Sequence, residues 1–480
     1  MKKWIKDLKV NHFVGGQWVE GESDEVIKVE NKYSGELLAE VRLFGAGQKE
    51  QLIEASQSGF AKISKWSQEQ RATSLKLCSK FIENNFKLFT ECIVAEAGKP
   101  IHYAKAEVNR AIFNLNWCAE EAKRLNGEVV PINFLGTKEK FSFTKRFPIG
   151  PILGISPFNF PLNLSLHKIG PAIAAGCSIT LKPSPFAPLT ALLLGEMAQY
   201  ADLPDGALNV VVSDVETSES LVIDDSFKVL SFTGSPKVGW HLKSICGKKK
   251  ALLELGGNAP LIIDRGIDVD AYTDSIINGL FLYSGQICIS TQRIYLVEDV
   301  YEQMLQALLV KMRDISVGDP NNEDTLVGPL INRDALNRIE QWVSEAVEEG
   351  ATILGGGHVI DKNKNLYGPT LLTNVKDDMK VNCEEVFGPI GIIKKVSSFE
   401  QAVSLANNTQ FGLQVGVITQ NIDKMKFAME NLEFGGVIMN SIPGFRVDNM
   451  PYGGIKNSGL GREGAKYAID EFTEPRLFVI

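Results

Sequence analysis

Apolar and polar positions alternate in two ways along the middle of the chain. Short runs of apolar, β-branched residues predict buried strands, and longer stretches with apolar residues every three or four positions predict amphipathic helices. Between residues 148 and 257, strands are predicted at 152–155, 178–182, 208–212, 228–232 and 251–255, and helices at 163–176, 187–202, 216–222 and 236–247. This strand–helix alternation predicts a mainly parallel sheet with helices on both faces.

The alternation continues from residue 258 to about residue 445 and predicts a second domain of the same kind. Helices are predicted at 268–283, 299–314, 333–348 and 398–406, and strands at 291–297, 392–396 and 415–418. The predicted fold class is therefore α/β, with two doubly wound parallel-sheet domains. Ahead of the first sheet, residues 1–45 predict short strands and turns, and residues 46–126 predict helices.

Two segments depart from this alternation and predict a protruding arm. Residues 127–147 alternate apolar and polar side chains around the turn residues Pro131 and Gly136, which predicts a β-hairpin projecting from the body. The chain ends in four apolar residues, Leu477–Ile480. Because an apolar end is unfavourable in water, we expect it to pair with the body or with a neighbouring subunit.

Composition and charge narrow the range of functions. With 480 residues, of which 44% are hydrophobic and 22% charged, the chain is long enough for two or three globular domains. A net charge of −8 provides no basic surface for nucleic acid. No stretch approaches the ~18 apolar residues that suggest a membrane span, and residues 1–9 lack the apolar core of a signal peptide. We therefore expect neither a nucleic-acid nor a membrane partner.

Cysteine and histidine usage predicts a reducing compartment and no metal site. The seven cysteines are odd in number, widely scattered and never in a CxxC pair, which argues against a disulfide framework. The five histidines show no HxxxH or HExxH spacing, so no zinc site is predicted. These features predict a cytoplasmic protein.

One cysteine, Cys288, lies where a thiol can face a cleft. An apolar, helix-compatible segment ends at Ser284 and Gly285, and a β-branched strand begins at Thr291. Cys288 therefore lies in a short turn between a helix and a strand. Because a free cysteine is usually buried and inert, a function for this thiol needs support from other residues.

Polar side chains at the predicted strand ends provide that support. Asn159 follows the strand at 152–155 and offers an amide donor suited to an anionic oxygen. Glu254 lies in an apolar strand, where a carboxylate is unfavourable without a role or a partner. Lys182 ends another strand, and Ser235 opens the helix after a third. Ligands of such sheets bind at the carboxyl ends of the strands, so we expect these side chains to converge.

Two further turns carry candidate site residues, and the first of them suits a phosphate. The dinucleotide motif GxGxxG is absent, but Gly234 and Ser235 stand between a predicted strand and a predicted helix. Free N–H groups and the positive end of the helix can bind a phosphate there. In a later turn, Glu385 and Phe387 place a carboxylate close to an aromatic ring.

In this order and spacing, these stretches resemble the NAD(P)-dependent aldehyde dehydrogenase superfamily. The resemblance runs from the strand around Gly15 and Trp18 to the glycine-rich stretch from Pro451 to Lys456. It implies a dinucleotide-binding domain of residues 1–126 and 148–256 and a catalytic domain of residues 257–445 that carries the nucleophile. It also implies an oligomerisation arm of residues 127–147 and 457–480, in a homodimer or homotetramer.

The resemblance also implies a mechanism for the oxidation of an aldehyde. Thiolates are strong nucleophiles, so Cys288 would attack the aldehyde carbon. Asn159 and the backbone N–H of Cys288 would hold the resulting oxyanion. Loss of hydride would leave a thioester, and Glu254 would take a proton from the water that hydrolyses it to a carboxylate.

The implied cofactor is NAD or NADP. The resemblance assigns Lys182 to the adenosine ribose, Ser235 to the pyrophosphate and Glu385 to the nicotinamide ribose. The other implied cofactor-binding residues are Ile155, Ser156, Phe158, Ser184, Leu255 and Phe387. Many NAD-preferring relatives carry a glutamate where Pro185 stands, and that glutamate repels a 2′-phosphate. Its absence leaves NADP open, although our expectation leans to NAD.

Two arginines suggest the class of substrate. Arg110 and Arg446 resemble anion-binding positions of the non-phosphorylating glyceraldehyde-3-phosphate dehydrogenases in this superfamily, and guanidinium groups suit carboxylates, phosphates and phosphonates. Phe160 and Ile287 stand where those enzymes carry a tyrosine and an arginine. We therefore expect a small polar or anionic aldehyde, such as lactaldehyde or phosphonoacetaldehyde. The alternative for either arginine is an ion pair with no role in substrate binding.

Three other functions remain open at this point. Aldehyde dehydrogenases that transfer the thioester to CoA generally lack a glutamate at the position of Glu254, so its presence favours hydrolysis. A thiol esterase would need a histidine partner for Cys288, and no histidine motif lies near it. A non-catalytic NAD-binding protein of the same fold would be expected to have lost Cys288, Asn159 or Glu254.

Overall fold

Two large sheets flanked by helices form the body of the protein, so the α/β fold class is confirmed. The computed structural model describes residues 8–136 and 140–480. Residues 1–7, which belong to the N-terminal segment tested for a signal peptide, lie outside the described residues. The same holds for residues 137–139, near the turn of the predicted hairpin.

Most predicted strands lie within one or two residues of the observed ones. The strands of the first half are β1 (His12–Val14), β2 (Gln17–Val19), β3 (Val26–Glu30), β4 (Leu37–Arg42), β5 (Ser142–Pro148), β6 (Ile152–Ile155), β7 (Ile179–Lys182), β8 (Leu208–Val210), β9 (Val229–Thr233) and β10 (Lys250–Glu254). Those of the second half are β11 (Pro260–Ile263), β12 (Arg293–Val297), β13 (Thr352–Gly355), β14 (Val359–Asp361), β15 (Leu366–Tyr367), β16 (Thr370–Thr373), β17 (Ile390–Val396), β18 (Phe411–Gly412), β19 (Gln414–Ile418), β20 (Gly436–Met439), β21 (Ile455–Lys456), β22 (Gly459–Leu460) and β23 (Thr473–Val479).

The helices also follow the predicted pattern, although the one predicted at 187–202 consists of two shorter helices. The α-helices are Lys49–Ile63, Gln68–Asn84, Phe86–Ala97, Ile101–Ala122, Asn163–Ala175, Leu189–Leu192, Leu194–Tyr200, Val215–Ile223, Pro236–Ile245, Val269–Phe281, Glu298–Arg313, Arg333–Glu348, Lys380–Cys383, Phe399–Asn407, Ile422–Asn431 and Ala465–Glu471. Among the helices of the described residues, none is both long enough and apolar enough to cross a bilayer.

The first sheet has the strand order β2-β1-β8-β7-β6-β9-β10-β22. The five central strands are parallel, while β1 and β22 pair antiparallel at the two sides. Their apolar residues are buried on both faces, as a parallel sheet between two helical layers requires. The chain order reverses between β6 and β9, so a crevice for a ligand opens at the carboxyl ends of these two strands.

The second sheet has the order β13-β16-β17-β12-β11-β19-β20 and is parallel except for the edge strand β13. Strand β11 starts six residues after β10 ends, which brings the beginning of the second sheet close to the carboxyl edge of the first. The Cys288 turn leads into β12, at the side of the second sheet that faces this crevice. The two sheets therefore enclose one cleft between them.

The arm differs in its pairing from the predicted hairpin. β5 pairs along its whole length with the C-terminal strand β23, from Ser142 opposite Val479 to Pro148 opposite Thr473. Within 127–147, Val129 forms a single antiparallel bridge to Phe143. The apolar C terminus thus covers β5, which satisfies the expectation that it pairs with the body. Part of the range 457–480 lies outside the arm, because β22 is hydrogen-bonded to β10 in the first sheet.

A buried ion pair fixes the helix that follows β6. Glu107 accepts hydrogen bonds from the backbone N–H groups of Leu162 and Asn163, at 3.0 and 3.1 Å, and so caps the start of the helix Asn163–Ala175. The ammonium of Lys99 is hydrogen-bonded to the same carboxylate, and both side chains are fully buried. This pair sets the position of the turn between β6 and the helix, which contains Asn159.

Candidate active site

A cavity of about 980 Å³ opens at the carboxyl ends of β6, β7, β9 and β10. All but one of the residues predicted for the site line it. These are Ile155, Ser156, Phe158, Asn159, Lys182, Ser184, Ser235, Glu254, Leu255, Cys288, Glu385, Phe387 and Arg446. The exception is Arg110. The predicted convergence of the strand ends therefore takes place, in a cleft closed on its other side by the second sheet.

The turn before Cys288 has an unusual backbone. Tyr283, Ser284 and Gly285 all have positive φ, at 51°, 57° and 67°, and the first two are not glycine. Such a conformation is unfavourable for residues with a Cβ and persists only where the surroundings impose it. The hydroxyl groups of Tyr283 and Ser284 donate to the carbonyls of Ala97 and Gly328, both at 2.7 Å. These bonds hold the turn and fix the position of the thiol.

Cys288 is half-buried and has one hydrogen-bond partner in the described part of the chain. The hydroxyl of Tyr452 lies 3.1 Å from Sγ. Burial raises the pKa of the Cys288 thiol to about 11, with further contributions from Glu385 and Glu254, while Tyr452 and Arg446 act in the opposite direction. Asn159 approaches the same turn and donates from Nδ2 to the carbonyl of Gln286, at 2.9 Å.

Glu254 stands at the end of β10 as a buried carboxyl group. Within residues 8–136 and 140–480, neither of its oxygens has a hydrogen-bond partner, although the residue is only 4% exposed. Burial, together with repulsion from Glu463, raises the pKa of Glu254 well above its usual range. A buried carboxylate without hydrogen bonds is strongly disfavoured, so the surroundings favour the neutral, protonated form of this group.

Glu463 provides the negative charge next to Glu254. Its Oε1 accepts a hydrogen bond of 3.0 Å from the ammonium of Lys168, and its Oε2 lies 3.6 Å from a guanidinium nitrogen of Arg446. Burial acts to raise the pKa of Glu463, but Lys168, His167 and Arg446 together lower it. The cavity therefore contains two neighbouring acids whose pKa values are shifted in opposite directions, Glu254 upward and Glu463 downward.

One half of the cavity has the groups that a dinucleotide requires. Ser235 caps the helix Pro236–Ile245 and leaves the positive end of that helix facing the cavity. The Lys182 ammonium has no hydrogen-bond partner in the described residues, and burial lowers its pKa to about 8. Apolar walls of Ile155, Phe158 and Leu255 line the same half. A free cation, a helix start and apolar walls fit NAD or NADP.

Glu385 lies at the boundary between the two halves. Its Oε1 accepts a hydrogen bond of 3.1 Å from the backbone N–H of Gly257, and burial raises its pKa to about 7. A Cβ on Gly256 would lie 2.1 Å from the same carboxylate, so a larger residue there would require the Glu385 side chain to move. Phe387 packs edge-on against Phe158, with ring centroids 5.9 Å apart.

Arg446 occupies the other half of the cavity, beyond the thiol. Its guanidinium carbon lies 3.6 Å from the centre of the Tyr452 ring, and its side chain is 7% exposed. His167 lies 3.5 Å from Nη2, while Nε has no hydrogen-bond partner. The site thus contains a buried cation with an unused donor, close to the cysteine but separated from it by an aromatic ring.

Arg110 does not line the cavity, so the structure does not bring it to the predicted anion site. It makes two hydrogen bonds to Asp448, at 3.0 and 2.6 Å. Asn163 and His167 also donate to this carboxylate. Burial acts to raise the pKa of Asp448, but His167 and Arg110 hold it far below its usual range. Arg110 therefore corresponds to the alternative of a structural ion pair, which ties the loop before Tyr452 to the body.

Four residues of the site escaped the sequence analysis: Lys168, Asp448, Tyr452 and Glu463. Lys168 carried a signal, because it is a charged residue in an otherwise apolar segment that the pattern predicts as a buried helix. Tyr452 lies inside the glycine-rich stretch that carries the family resemblance. Asp448 and Glu463 gave no local signal, since their partners lie hundreds of residues away in the sequence.

Metal chemistry finds no support in these side chains. Within residues 8–136 and 140–480, no group of three or more histidine, cysteine, aspartate or glutamate residues is arranged to hold a metal ion. The seven cysteines all lie in these ranges and are all free thiols.

Known proteins share this fold and sequence. The chain matches the aldehyde dehydrogenase family over residues 18–478. It is 38% identical to the 3-sulfolactaldehyde dehydrogenase of Priestia aryabhattai over 98% of this chain and 97% of that protein. The lactaldehyde dehydrogenase of Methanococcus vannielii is 36% identical, over 98% of this chain and 99% of that protein. The structure of aldehyde dehydrogenase 21 from Physcomitrella patens, in complex with its product succinate, superposes with a TM-score of 0.95 at 38% identity and covers 98% of both chains.

A doubly wound sheet with a half-buried thiol beside a dinucleotide-shaped cleft defines a nicotinamide-dependent oxidoreductase. The chain belongs to the aldehyde dehydrogenase family. It is an NAD(P)-dependent enzyme that oxidises an aldehyde to the carboxylate, and solved members of the family hold NAD⁺ or NADP.

Proposed function

We propose that Cys288, Asn159 and Glu254 carry out the oxidation, and that the substrate is a small aldehyde with a polar or anionic end. The position of Arg446 carries this proposal. It supplies a buried cation with a free Nε donor in the half of the cavity that the dinucleotide does not need. An aldehyde bound with its polar end at Arg446 can present its carbonyl carbon to Cys288 only if its chain is short.

In the first step, the Cys288 thiolate attacks the aldehyde carbon. The new oxyanion lies against the turn and accepts hydrogen bonds from the backbone N–H of Cys288 and from Asn159. Asn159 uses one N–H for Gln286, which orients its amide, and keeps the other for the oxyanion. The nicotinamide ring, when bound, supplies an acceptor for hydride. Cys288 is then joined to the acyl group as a thioester.

In the second step, Glu254 takes a proton from a water molecule that attacks the thioester carbon. The Cys288 sulfur leaves as a thiolate, and the acid is released. The raised pKa of Glu254 suits a general base, because a carboxyl group with an ordinary pKa is too weakly basic to be effective near neutral pH. A base next to the nucleophile favours hydrolysis over transfer of the acyl group to CoA.

The relatives support a short, polar substrate. One acts on 3-sulfolactaldehyde and another on lactaldehyde, and the solved structure of a third relative contains succinate. These compounds are small, and all carry a hydroxyl or an anionic group near the aldehyde or acid carbon. Arg446 can donate to either kind of group. Lactaldehyde and phosphonoacetaldehyde, expected from the sequence, belong to the same class.

For the cofactor half, we propose that Lys182 holds the adenosine ribose, Ser235 the pyrophosphate and Glu385 the nicotinamide ribose. The two parts 1–126 and 148–256 would then form the dinucleotide-binding domain, and 257–445 the catalytic domain. Pro185 lines the cavity where a glutamate would reject a 2′-phosphate. NADP is therefore admissible at this site. Seven free thiols support a cytoplasmic location.

We further propose that the arm joins subunits in a homodimer or homotetramer. The side chains of Leu477, Phe478 and Val479 on β23, and of Ile480 just after it, are exposed even though β5 covers one edge of that strand. Removing Leu477–Ile480 should lower the assembled mass, measured by sedimentation velocity. The Val310→Ser substitution removes an equally exposed apolar side chain from the helix Glu298–Arg313 and should not. A full-length monomer would contradict the proposal.

Replacing the proposed nucleophile tests the assignment of the reaction to Cys288. In Cys288→Ser, aldehyde oxidation should fall on the order of a thousandfold or more, because a hydroxyl ionises far less readily than a thiol. The rate of aldehyde oxidation is measured as the formation of NAD(P)H, and the variant should still bind the cofactor. Cys383→Ser, which changes a half-buried thiol outside the cavity, serves as the matched control. Substantial turnover by Cys288→Ser would mean that another group attacks the aldehyde.

Replacing Glu254 should separate the two steps. Glu254→Gln should release a burst of reduced cofactor and then stall, with steady-state turnover lowered roughly 10²- to 10³-fold. In the unmodified enzyme, the base acts only when ionised. Since its pKa is raised, turnover limited by hydrolysis should rise with pH over a range above that of an ordinary carboxyl group, and this rise should vanish in the variant. Glu385→Gln should instead weaken cofactor binding. Unchanged steady-state turnover in Glu254→Gln would remove Glu254 from the mechanism.

Substrate recognition by Arg446 predicts a change in selectivity. In Arg446→Ala, the ratio of kcat/KM for lactaldehyde or succinate semialdehyde to that for propanal should fall about 10- to 100-fold, which corresponds to the loss of one charge-assisted hydrogen bond. Any effect of the substitution on Cys288 or Glu254 that is the same for all aldehydes does not change this ratio.

Arg110→Ala provides the comparison for Arg446→Ala. Because Arg110 binds Asp448 and does not line the cavity, its loss should lower kcat/KM for all three aldehydes by a similar factor. If Arg110→Ala changed the ratio and Arg446→Ala did not, the roles given to the two arginines would have to be exchanged.

A further inference from the structure

Tyr452 contacts the sulfur of Cys288, but neither the sequence analysis nor the proposed mechanism gives this residue a role. Its hydroxyl lies 3.1 Å from Sγ, and its side chain is buried. In the described residues, no other group donates a hydrogen bond to this sulfur or accepts one from it. A partner with this geometry changes the balance between thiol and thiolate.

The direction of this hydrogen bond follows from which group ionises first. An unperturbed thiol loses its proton more readily than an unperturbed phenol. Burial raises both: the pKa of Cys288 to about 11 and that of Tyr452 well above its usual range. When the pair loses one proton, the sulfur is therefore the anion and the Tyr452 hydroxyl is the donor.

The other charged groups that face Cys288 do not replace this donor. Glu254 at the end of β10 and Glu385 in the turn after the helix Lys380–Cys383 both oppose the thiolate, by like-charge repulsion whenever they are ionised. Arg446 favours it, but that guanidinium is stacked on the face of the Tyr452 ring. The cation therefore acts on the sulfur across the ring and makes the phenol a better donor at the same time.

The backbone holds the Tyr452 hydroxyl in place before any substrate arrives. The N–H and C=O of Tyr452 form hydrogen bonds of 3.0 and 2.7 Å to Glu463, in an antiparallel bridge. Tyr452 also belongs to a buried apolar cluster with Ile289, the residue after Cys288, and Leu413. A donor fixed in this way needs no rearrangement when charge develops on the sulfur.

We propose that Tyr452 is a catalytic residue that donates a hydrogen bond to the Cys288 thiolate and so favours the reactive form of the nucleophile. The proposal rests on the role proposed above for Cys288. A charge-assisted hydrogen bond is roughly twice as strong as a neutral one, so the thiolate gains more from Tyr452 than the thiol does. Once sulfur is bound to carbon, the same hydrogen bond weakens, and Tyr452 does not hinder the later loss of hydride.

The test is the ionisation of Cys288 in Tyr452→Phe, which removes one hydroxyl and leaves the ring. Thiolate absorbance gives the pH at which half of Cys288 is ionised, once the absorbance of Cys288→Ala has been subtracted. This midpoint should rise by about one unit. Alkylation by iodoacetamide near neutral pH should slow about threefold, since the smaller thiolate fraction is partly offset by a more nucleophilic sulfur. kcat/KM should decrease with the same pH dependence.

Tyr295→Phe is the matched control. Its hydroxyl is also buried and hydrogen-bonded, to the carbonyl of Leu405, but the residue does not line the cavity. This substitution should leave the thiol midpoint unchanged. A general loss of stability from removing a buried tyrosine hydroxyl would appear in both variants, and only the effect on Cys288 distinguishes Tyr452.

A second variant tests the proposal if Tyr452→Phe does not fold. Replacing Tyr452 with a ring-fluorinated tyrosine keeps the hydroxyl and strengthens it as a donor, so the Cys288 midpoint should fall. A midpoint that stays constant in both variants, or moves in the opposite directions, would overturn the proposal. Turnover by Cys288→Ser would instead contradict the proposed nucleophile, and the thiol titration would still report on the hydrogen bond.

Discussion

The positions of the segments that form the cavity depend on ion pairs buried around it. Three of the buried carboxylates around the cavity each accept a hydrogen bond from a cation: Glu107 from Lys99, Glu463 from Lys168 and Asp448 from Arg110. A buried ion pair adds little net stability, but removing one partner is strongly unfavourable, by about 3–5 kcal/mol. These pairs therefore fix where the Asn159 turn, the Tyr452 loop and the end of β10 meet.

Glu254 is a buried carboxyl group without such an ion pair, and this property suits a general base. In the described residues it lacks the cation partner that each of these three carboxylates has, so burial favours its neutral form. Burial also favours the neutral form of Cys288, and each group raises the cost of ionising the other. Under the proposed mechanism, the two never need to be charged together. The sulfur carries charge before it attacks the aldehyde, and Glu254 needs to be ionised only after the sulfur has become part of a neutral thioester.

The sequence predicted the features that depend on local pattern, such as the strand ends. It did not predict the contacts between segments that are distant along the chain. Periodicity located the strand ends, so Asn159, Lys182 and Glu254 could be placed at one edge before any coordinates were known. It could not show that Asp448 occupies Arg110, since two oppositely charged residues 338 positions apart carry no common signal. The same limit applies to Tyr452 and Cys288, and to the arm, where β5 pairs with the C-terminal β23 instead of forming a local hairpin.

Under the proposed function, Arg446 couples the recognition of the substrate to the ionisation of the Cys288 thiol. The same guanidinium is stacked on the Tyr452 ring, lies next to Glu463 and lowers the pKa of both Cys288 and Glu254. An anionic end of the substrate bound at Arg446 neutralises part of that charge and so opposes ionisation of the thiol. A hydroxyl accepts a hydrogen bond from Arg446 and leaves the charge in place. The cation that selects a polar aldehyde therefore penalises an anionic one at the chemical step, and the balance between these two effects determines which aldehyde the enzyme prefers.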